Sequence, residues 1–263
     1  MQSKMKYIAM AVLLVAVAIA PCAACAGSAT GSGRPMTRQY DLKDFSEVKM
    51  GDLFGGVDAD VTAADTYSIS VTMPEDLFQY LDVSKSGQTL RITTRRILFG
   101  SDRPKVSVGM PDLYKADYSG GSAGRISGFK SSHDMLVLCS GGGNLALDFE
   151  AGRTEIDLSG GGTLTGRLVC LDCRINVSGG SRMELAGTGS GTTQLQASGG
   201  SQVLLGGLTV RKADVTMSGG ANAVMSVTDQ LGVNLSGGAG LRYNGNPQIT
   251  RQIISGFSEF SRN

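Results

Sequence analysis

Cys170-Leu171-Asp172-Cys173 is a CxxC, the spacing at which two thiols can form half a zinc site, a redox couple or a disulfide. A zinc site needs two more ligands, and apart from carboxylates only Cys139 and the lone His133 are candidates. A redox CxxC opens a helix in a thioredoxin-like unit, which this chain lacks. A structural disulfide and plain buried thiols both stay open, and Cys139 falls on an apolar column. Ser131-Ser132-His133-Asp134 sets a serine, a histidine and an acid side by side. A triad is a spatial arrangement, however, and His133 reads as a loop residue.

Carboxylates raise the enzyme question, because lyases and glycosidases need acids, or acids with Arg or Lys, converging in one groove. Asp117, Asp157 and Asn176 share one outward column, interrupted by Leu138, with Asp157 and Asn176 as neighbours. Glu155, Asp172 and Asp214 are in less certain register. Clustered acids with Arg or Lys would favour an enzyme; scattered acids would favour a binding module. Trp is absent, which removes the commonest sugar-stacking platform. We assign no catalytic residue, no cofactor and no metal ligand.

The elements that carry these residues come from a repeat. Ser-Gly-Gly returns seven times, at Ser119, Ser140, Ser159, Ser178, Ser198, Ser218 and Ser236, at intervals of 21, 19, 19, 20, 20 and 18 residues. A period near 20 marks a solenoid, one coil per repeat. Three places before each serine stand Ala116, Val137, Ile156, Ile175, Leu195, Val215 and Val233. One place before stand Tyr118, Cys139, Leu158, Val177, Ala197, Met217 and Leu235, with mostly polar residues between the two columns. This period-two alternation predicts a strand with one face buried. Alternation resumes five and seven places after the serine. One coil is therefore strand, glycine corner, strand and a looser return, stacked into parallel sheets. No lysine follows the glycines and no base recurs at a fixed offset, so the serines are neither phosphate loops nor nucleophiles. Calcium β-rolls are excluded, since no Asp recurs near the glycines. Outward Leu204 and Val224 would be adjacent and could mark a partner surface or pack under the return loops.

Residues 1–25 read as a signal peptide: Lys4 and Lys6 precede an apolar run of 14 residues, too short to span a bilayer comfortably. Ala24-Cys25-Ala26 fits ordinary cleavage, whereas Cys22-Ala23-Ala24-Cys25 resembles a lipobox with Cys25 as the lipidated residue. We favour lipidation at Cys25, and the mature chain is exported either way. Residues 26–39 are small and polar, which predicts a flexible tether. Residues 40–115 alternate without the tripeptide and predict irregular coils continuous with the rest; a separate small β domain is the alternative. Glu75 to Tyr80, after Pro74, predicts one helical turn. Residues 116–250 form the regular repeat and 251–263 a C-terminal cap. A net charge of +1 points away from nucleic acid, and 41% hydrophobic residues in 263 suffice for a real core.

Phe45-Ser46-Glu47-Val48, the strand from Tyr67 to Val71, the turn Pro74-Glu75-Asp76-Leu77 and the Ser-Gly-Gly coils together resemble the auto-transporter adhesin, head GIN domain family of Bacteroides-like bacteria. The resemblance spans residues 40–251. It implies a right-handed parallel β-helix, here with coils of ~20 residues, a cell-envelope location and an adhesin role. The tail is too short for a translocating barrel, so secretion by that route is not expected. The expected function is non-enzymatic: an all-β envelope module, lipid-anchored at the outer membrane and facing the surface or the periplasm, that binds a glycan, matrix or envelope protein. The membrane would be touched only through the anchor. A β-helix lyase or glycosidase and a purely structural envelope component are the alternatives.

Overall fold

The structure is a computed structural model that describes residues 28–52, 55–99 and 102–263. The leader and Cys25 lie outside the described residues. In chain order come β1 (Pro35–Gln39), β2 (Glu47–Met50), β3 (Asp58–Ala63), β4 (Ser68–Pro74), a 3-10 turn (Glu75–Tyr80), β5 (Leu81–Ser86), β6 (Thr89–Thr94) and β7 (Lys105–Met110). The repeat follows as β8 (Lys115–Tyr118), β9 (Ala123–Lys130), β10 (Met135–Cys139), β11 (Asn144–Ala151), β12 (Thr154–Leu158), β13 (Thr163–Cys170) and β14 (Cys173–Val177). It continues with β15 (Arg182–Ala197), β16 (Gln202–Met217), β17 (Asn222–Leu235), β18 (Gly240–Asn244), β19 (Gln248–Ile254) and β20 (Glu259–Arg262).

Alternation turns several apolar residues inward in each coil, and parallel pairing stacks like on like. Ala116, Val137, Ile156, Ile175, Leu195, Val215 and Val233 are successive register partners. All seven are buried. The strands before the corners form one parallel stack and those after it another, joined as a β-solenoid of about seven turns. In β15, β16 and β17 a single strand runs through both stacks.

The corner explains the tripeptide. The serine N–H bonds to the preceding coil, as Ser178 does to the Leu158 carbonyl at 2.9 Å. The second glycine N–H then reaches the first glycine of the coil before, as Gly180 does to Gly160 at 2.9 Å. Gly179 has φ +75°, and a Cβ there would lie 2.4 Å from the Gly160 carbonyl oxygen. The first glycine is therefore required both by conformation and by close approach. The second is not: at Gly180 the nearest atom to an added Cβ lies 3.9 Å away. An eighth corner, Ser255-Gly256-Phe257, follows this rule. Gly256 has φ +69°, Phe257 donates to the Gly237 carbonyl at 2.6 Å, and the Phe257 side chain is 94% exposed.

The N-terminal region, expected as irregular coils continuous with the rest, is not stacked in chain order. The coil β2–β3 lies between β6–β7 and β8–β9: β2 pairs with β6 and β8, β3 with β7 and β9, all parallel. The Tyr118 hydroxyl ties the inserted coil to the next one by donating to the Ala59 carbonyl at 2.8 Å inside the core. Antiparallel strands cover the end: β5 pairs with β6, β4 with β7, and β1 with β4. Glu75–Tyr80 forms the helical turn, with Leu77 and Phe78 buried. The stretch expected as tether is tied down in part. β1 occupies residues 35–39, the Arg38 guanidinium lies 4.1 Å from the Phe78 ring centre, and Asp76 accepts from the Ser32 and Gly33 amides at 2.9 and 3.1 Å.

Candidate functional site

The outer face of the stack β12, β14, β15 and β16 gathers most of the polar residues singled out by sequence. Period two sends every other side chain outward, and the ladder aligns them in columns. Asp157, Asn176, Gln196, Thr216 and Asn234 are consecutive partners. Asn176 Nδ2 donates to Asp157 Oδ1 at 2.6 Å. Beside this column run the corner serines. Together Asp157, Asn176, Gln196, Thr216 and Ser159, Ser178, Ser198, Ser218 line a depression of about 440 Å³. Asp157 is the only charged group of that lining.

Earlier on the same strands the surface changes character. Glu155, Arg174, Gln194 and Asp214 form the next outward column. Arg153, Glu155, Asp172, Arg174, Thr192 and Gln194 line a second depression of about 570 Å³. The acids Glu155 and Asp172 therefore do meet two arginines in one groove. Asp172 is committed in part, since its Oδ1 accepts the Thr192 amide at 2.8 Å. Asp214 lies farther along, paired to Arg251 at 3.2 Å. Asp117 stands apart, paired to Lys49 at 3.4 Å.

The ridge beside Arg153 is tied together by ring and hydrogen-bond contacts. Tyr114 and His133 stack with centroids 3.7 Å apart and planes 6° from parallel. His133 Nε2 faces Asp112 Oδ1 at 2.7 Å, and Nδ1 faces the Asp134 carbonyl at 2.9 Å. Both partners only accept, so the protonated ring satisfies both contacts and the neutral ring only one. Burial opposes that charge, but the Asp112 and Asp134 bonds outweigh it and raise the pKa. Asp134 continues the ridge by accepting the Arg153 amide at 3.3 Å. His133 is thus a structural ion-pair residue. Sequence reasoning missed its aromatic partner, Tyr114, which has no repeat signature.

The cysteines divide. Cys139 closes β10 in the apolar column, and burial raises its pKa to about 11. It stands four positions along the strand and two coils away from Cys173, roughly 13 Å along the strand direction alone. That separates it from the CxxC, and among the described residues no three His, Cys, Asp or Glu side chains group as a metal site. Leu204 and Val224 are register partners and half-buried, in a depression of about 220 Å³ rimmed by Gln202, Asn222, Arg242 and Glu259.

Fold and face together define a β-solenoid with an extended polar surface. No helix among the described residues is long and apolar enough to cross a membrane. The chain belongs to the family described as "Putative auto-transporter adhesin, head GIN domain", which matches residues 44–247. Solved structures show the same fold. One titled "putative lipid binding protein", from Parabacteroides distasonis, is 20% identical with a TM-score of 0.81, covering 89% of this chain and 98% of that one. A "putative adhesin" from the same organism is 18% identical with a TM-score of 0.79, covering 88% and 98%. A "putative adhesin" from Bacteroides fragilis is 16% identical with a TM-score of 0.62, again covering 88% and 98%. A search of curated proteins gives no match.

Proposed function

We propose that this chain is a non-enzymatic adhesion module of the cell envelope that binds an extended glycan along the outer face of β12–β16. The observation that carries the reading is the ladder Asn176–Gln196–Thr216 of amides and a hydroxyl, headed by the Asp157 carboxylate, with its parallel row of serines. Amides and hydroxyls both donate and accept, as sugar hydroxyls do. A ladder rising ~4.8 Å per coil presents such groups at even intervals along a polymer. Family membership supports the adhesin reading. An exported chain held by lipid on Cys25 supplies the reach that adhesion needs, because a diacylated anchor retains a protein where one acyl chain does not. The lipid-binding name of one relative suggests another occupant. The depression at Leu204 and Val224, about 220 Å³ and rimmed by polar and charged side chains, falls below the ~300 Å³ at which ligand pockets begin.

The test is affinity electrophoresis of the full chain through gels carrying different envelope and host polysaccharides, alongside Asn176→Ala/Gln196→Ala. Retardation by at least one polysaccharide, weakened about tenfold by a lost pair of hydrogen bonds, is the expected result. Equal mobility of both proteins in every gel refutes the reading. The groove of Glu155, Asp172, Arg153 and Arg174 supports a second reading, a carbohydrate-active enzyme. Polysaccharide shortened by the wild type but not by Glu155→Gln would establish it.

A further inference from the structure

We infer that Cys170 and Cys173 are joined as a disulfide in the exported protein, closing the corner between β13 and β14. Only Leu171 and Asp172 separate the two strands, and both cysteines turn inward, 4% and 2% exposed. Both are free, buried thiols in the structure, and each perturbs the ionisation of the other. Residues 171 and 172 form a bend, and a bent four-residue corner is short enough to bring its end Cα atoms within the ~4.4–6.8 Å that a disulfide spans. The neighbouring coil leaves room: the register partner of Cys170 is Gly189, and a Cβ there would lie 3.7 Å from the Cys170 sulfur. Cys139 is out of reach, so the pairing is unambiguous.

The chemistry balances with an exogenous disulfide, either oxidised glutathione or the disulfide of a dithiol oxidase. The Cys170 thiolate attacks one sulfur of that oxidant and expels a thiolate, leaving a mixed disulfide. The Cys173 thiolate then attacks Cys170 Sγ and expels the second. Two protons leave the cysteines and two thiols are released. Exchange takes place while the corner is open during folding, and the closed solenoid then seals the bond. The clasp holds the rim of the charged groove, because Asp172 lies inside the CxxC and Arg174 directly follows it. The inference rests on the export proposed above.

Trypsin isolates the pair cleanly, since Arg167 and Arg174 bound a peptide of residues 168–174, and Cys139 falls in residues 131–153. The full chain is recovered from the envelope, denatured with iodoacetamide and no reductant, digested and weighed. The expected 168–174 peptide is unalkylated and two hydrogens lighter than its reduced form, while the Cys139 peptide carries one alkyl group. A doubly alkylated 168–174 peptide overturns the inference. A second arm unfolds and reduces the purified chain, then refolds it against oxidised glutathione. Clasp formation there, with doubly alkylated peptide from cells, overturns the cellular disulfide and counts against export. Glutathione adducts on both cysteines overturn the geometry itself. Reducing the refolded clasp lowers Tm by about 4–8 °C, the shift expected for a short closed loop in a chain of this size.

Discussion

The two glycines of a corner look alike in sequence and differ in structure, and Gly179→Ala against Gly180→Ala measures that difference. At Gly179 the backbone is left-handed, φ +75°, which costs an alanine roughly 1 kcal/mol. The new Cβ would sit 2.4 Å from the Gly160 carbonyl oxygen, and that carbonyl is held by the Gly180 amide at 2.9 Å. Relief needs the two coils to part, which gives up ladder bonds worth about 1 kcal/mol each. The sum is a loss of about 3 kcal/mol, or roughly 6–12 °C in Tm for a chain of this size. At Gly180 an added methyl meets nothing closer than 3.9 Å and the backbone is not left-handed. Gly180→Ala should be neutral or gain about 0.5 kcal/mol by restricting the unfolded chain. Urea unfolding followed by circular dichroism separates the two variants. Equal losses would refute the corner argument, as would a greater loss at Gly180.

Further outcomes follow from two buried or bonded rings. His133 has a raised pKa in the folded state, so its contribution is complete below the unfolded value near 6.5 and is lost as pH rises through the folded value. The urea midpoint of wild type should therefore fall between pH 5.5 and pH 8.5 by more than that of His133→Gln, with parallel slopes as the opposing result. Tyr118 is wholly buried and donates to Ala59, and burial, then the nearby Asp60 charge, push its phenol well above the usual range. Its phenolate absorbance should appear only with alkaline unfolding, and Tyr118→Phe should cost about 1–2 kcal/mol by orphaning the Ala59 carbonyl. Phenolate absorbance from Tyr118 in the folded protein would contradict that burial.

How much the sequence disclosed depends on whether a feature repeats. The inward columns through Val137 and Ile156 were legible because each coil restates them. The Asp157–Asn176 contact was legible for the same reason. Glu155 and Arg174 were as legible as that pair, since both stand four places before a corner serine, but the column was not followed that far back from the corner. The eighth corner escaped because Phe257 stands where a second glycine was sought, although only Gly256 is sterically demanded. The position of β2–β3 was hidden for a different reason. Val48 and Met50, Leu90 and Ile92, and Ala116 and Tyr118 present the same alternation, so any of these strands could neighbour any other. The hydroxyl of Tyr118, reaching Ala59 from 59 residues away, is a contact particular to the observed order. β1 has no apolar alternation at all, since every residue in it is exposed.

That interleaved coil also sets an order of events. A chain that emerges amino end first delivers β2 and β3 well before either of their neighbours exists. Their partners arrive only with β6 and β7 on one side and β8 and β9 on the other, so residues 47–63 must wait until residue 130 has followed. The coils from β10 onward need only the coil just made and can add one at a time. Folding of the amino end is thus governed by distant contacts and is slow, whereas growth of the repeat is local and fast. Interrupting synthesis or translocation between residues 63 and 115 would leave apolar strands without neighbours, the state most exposed to proteolysis and aggregation.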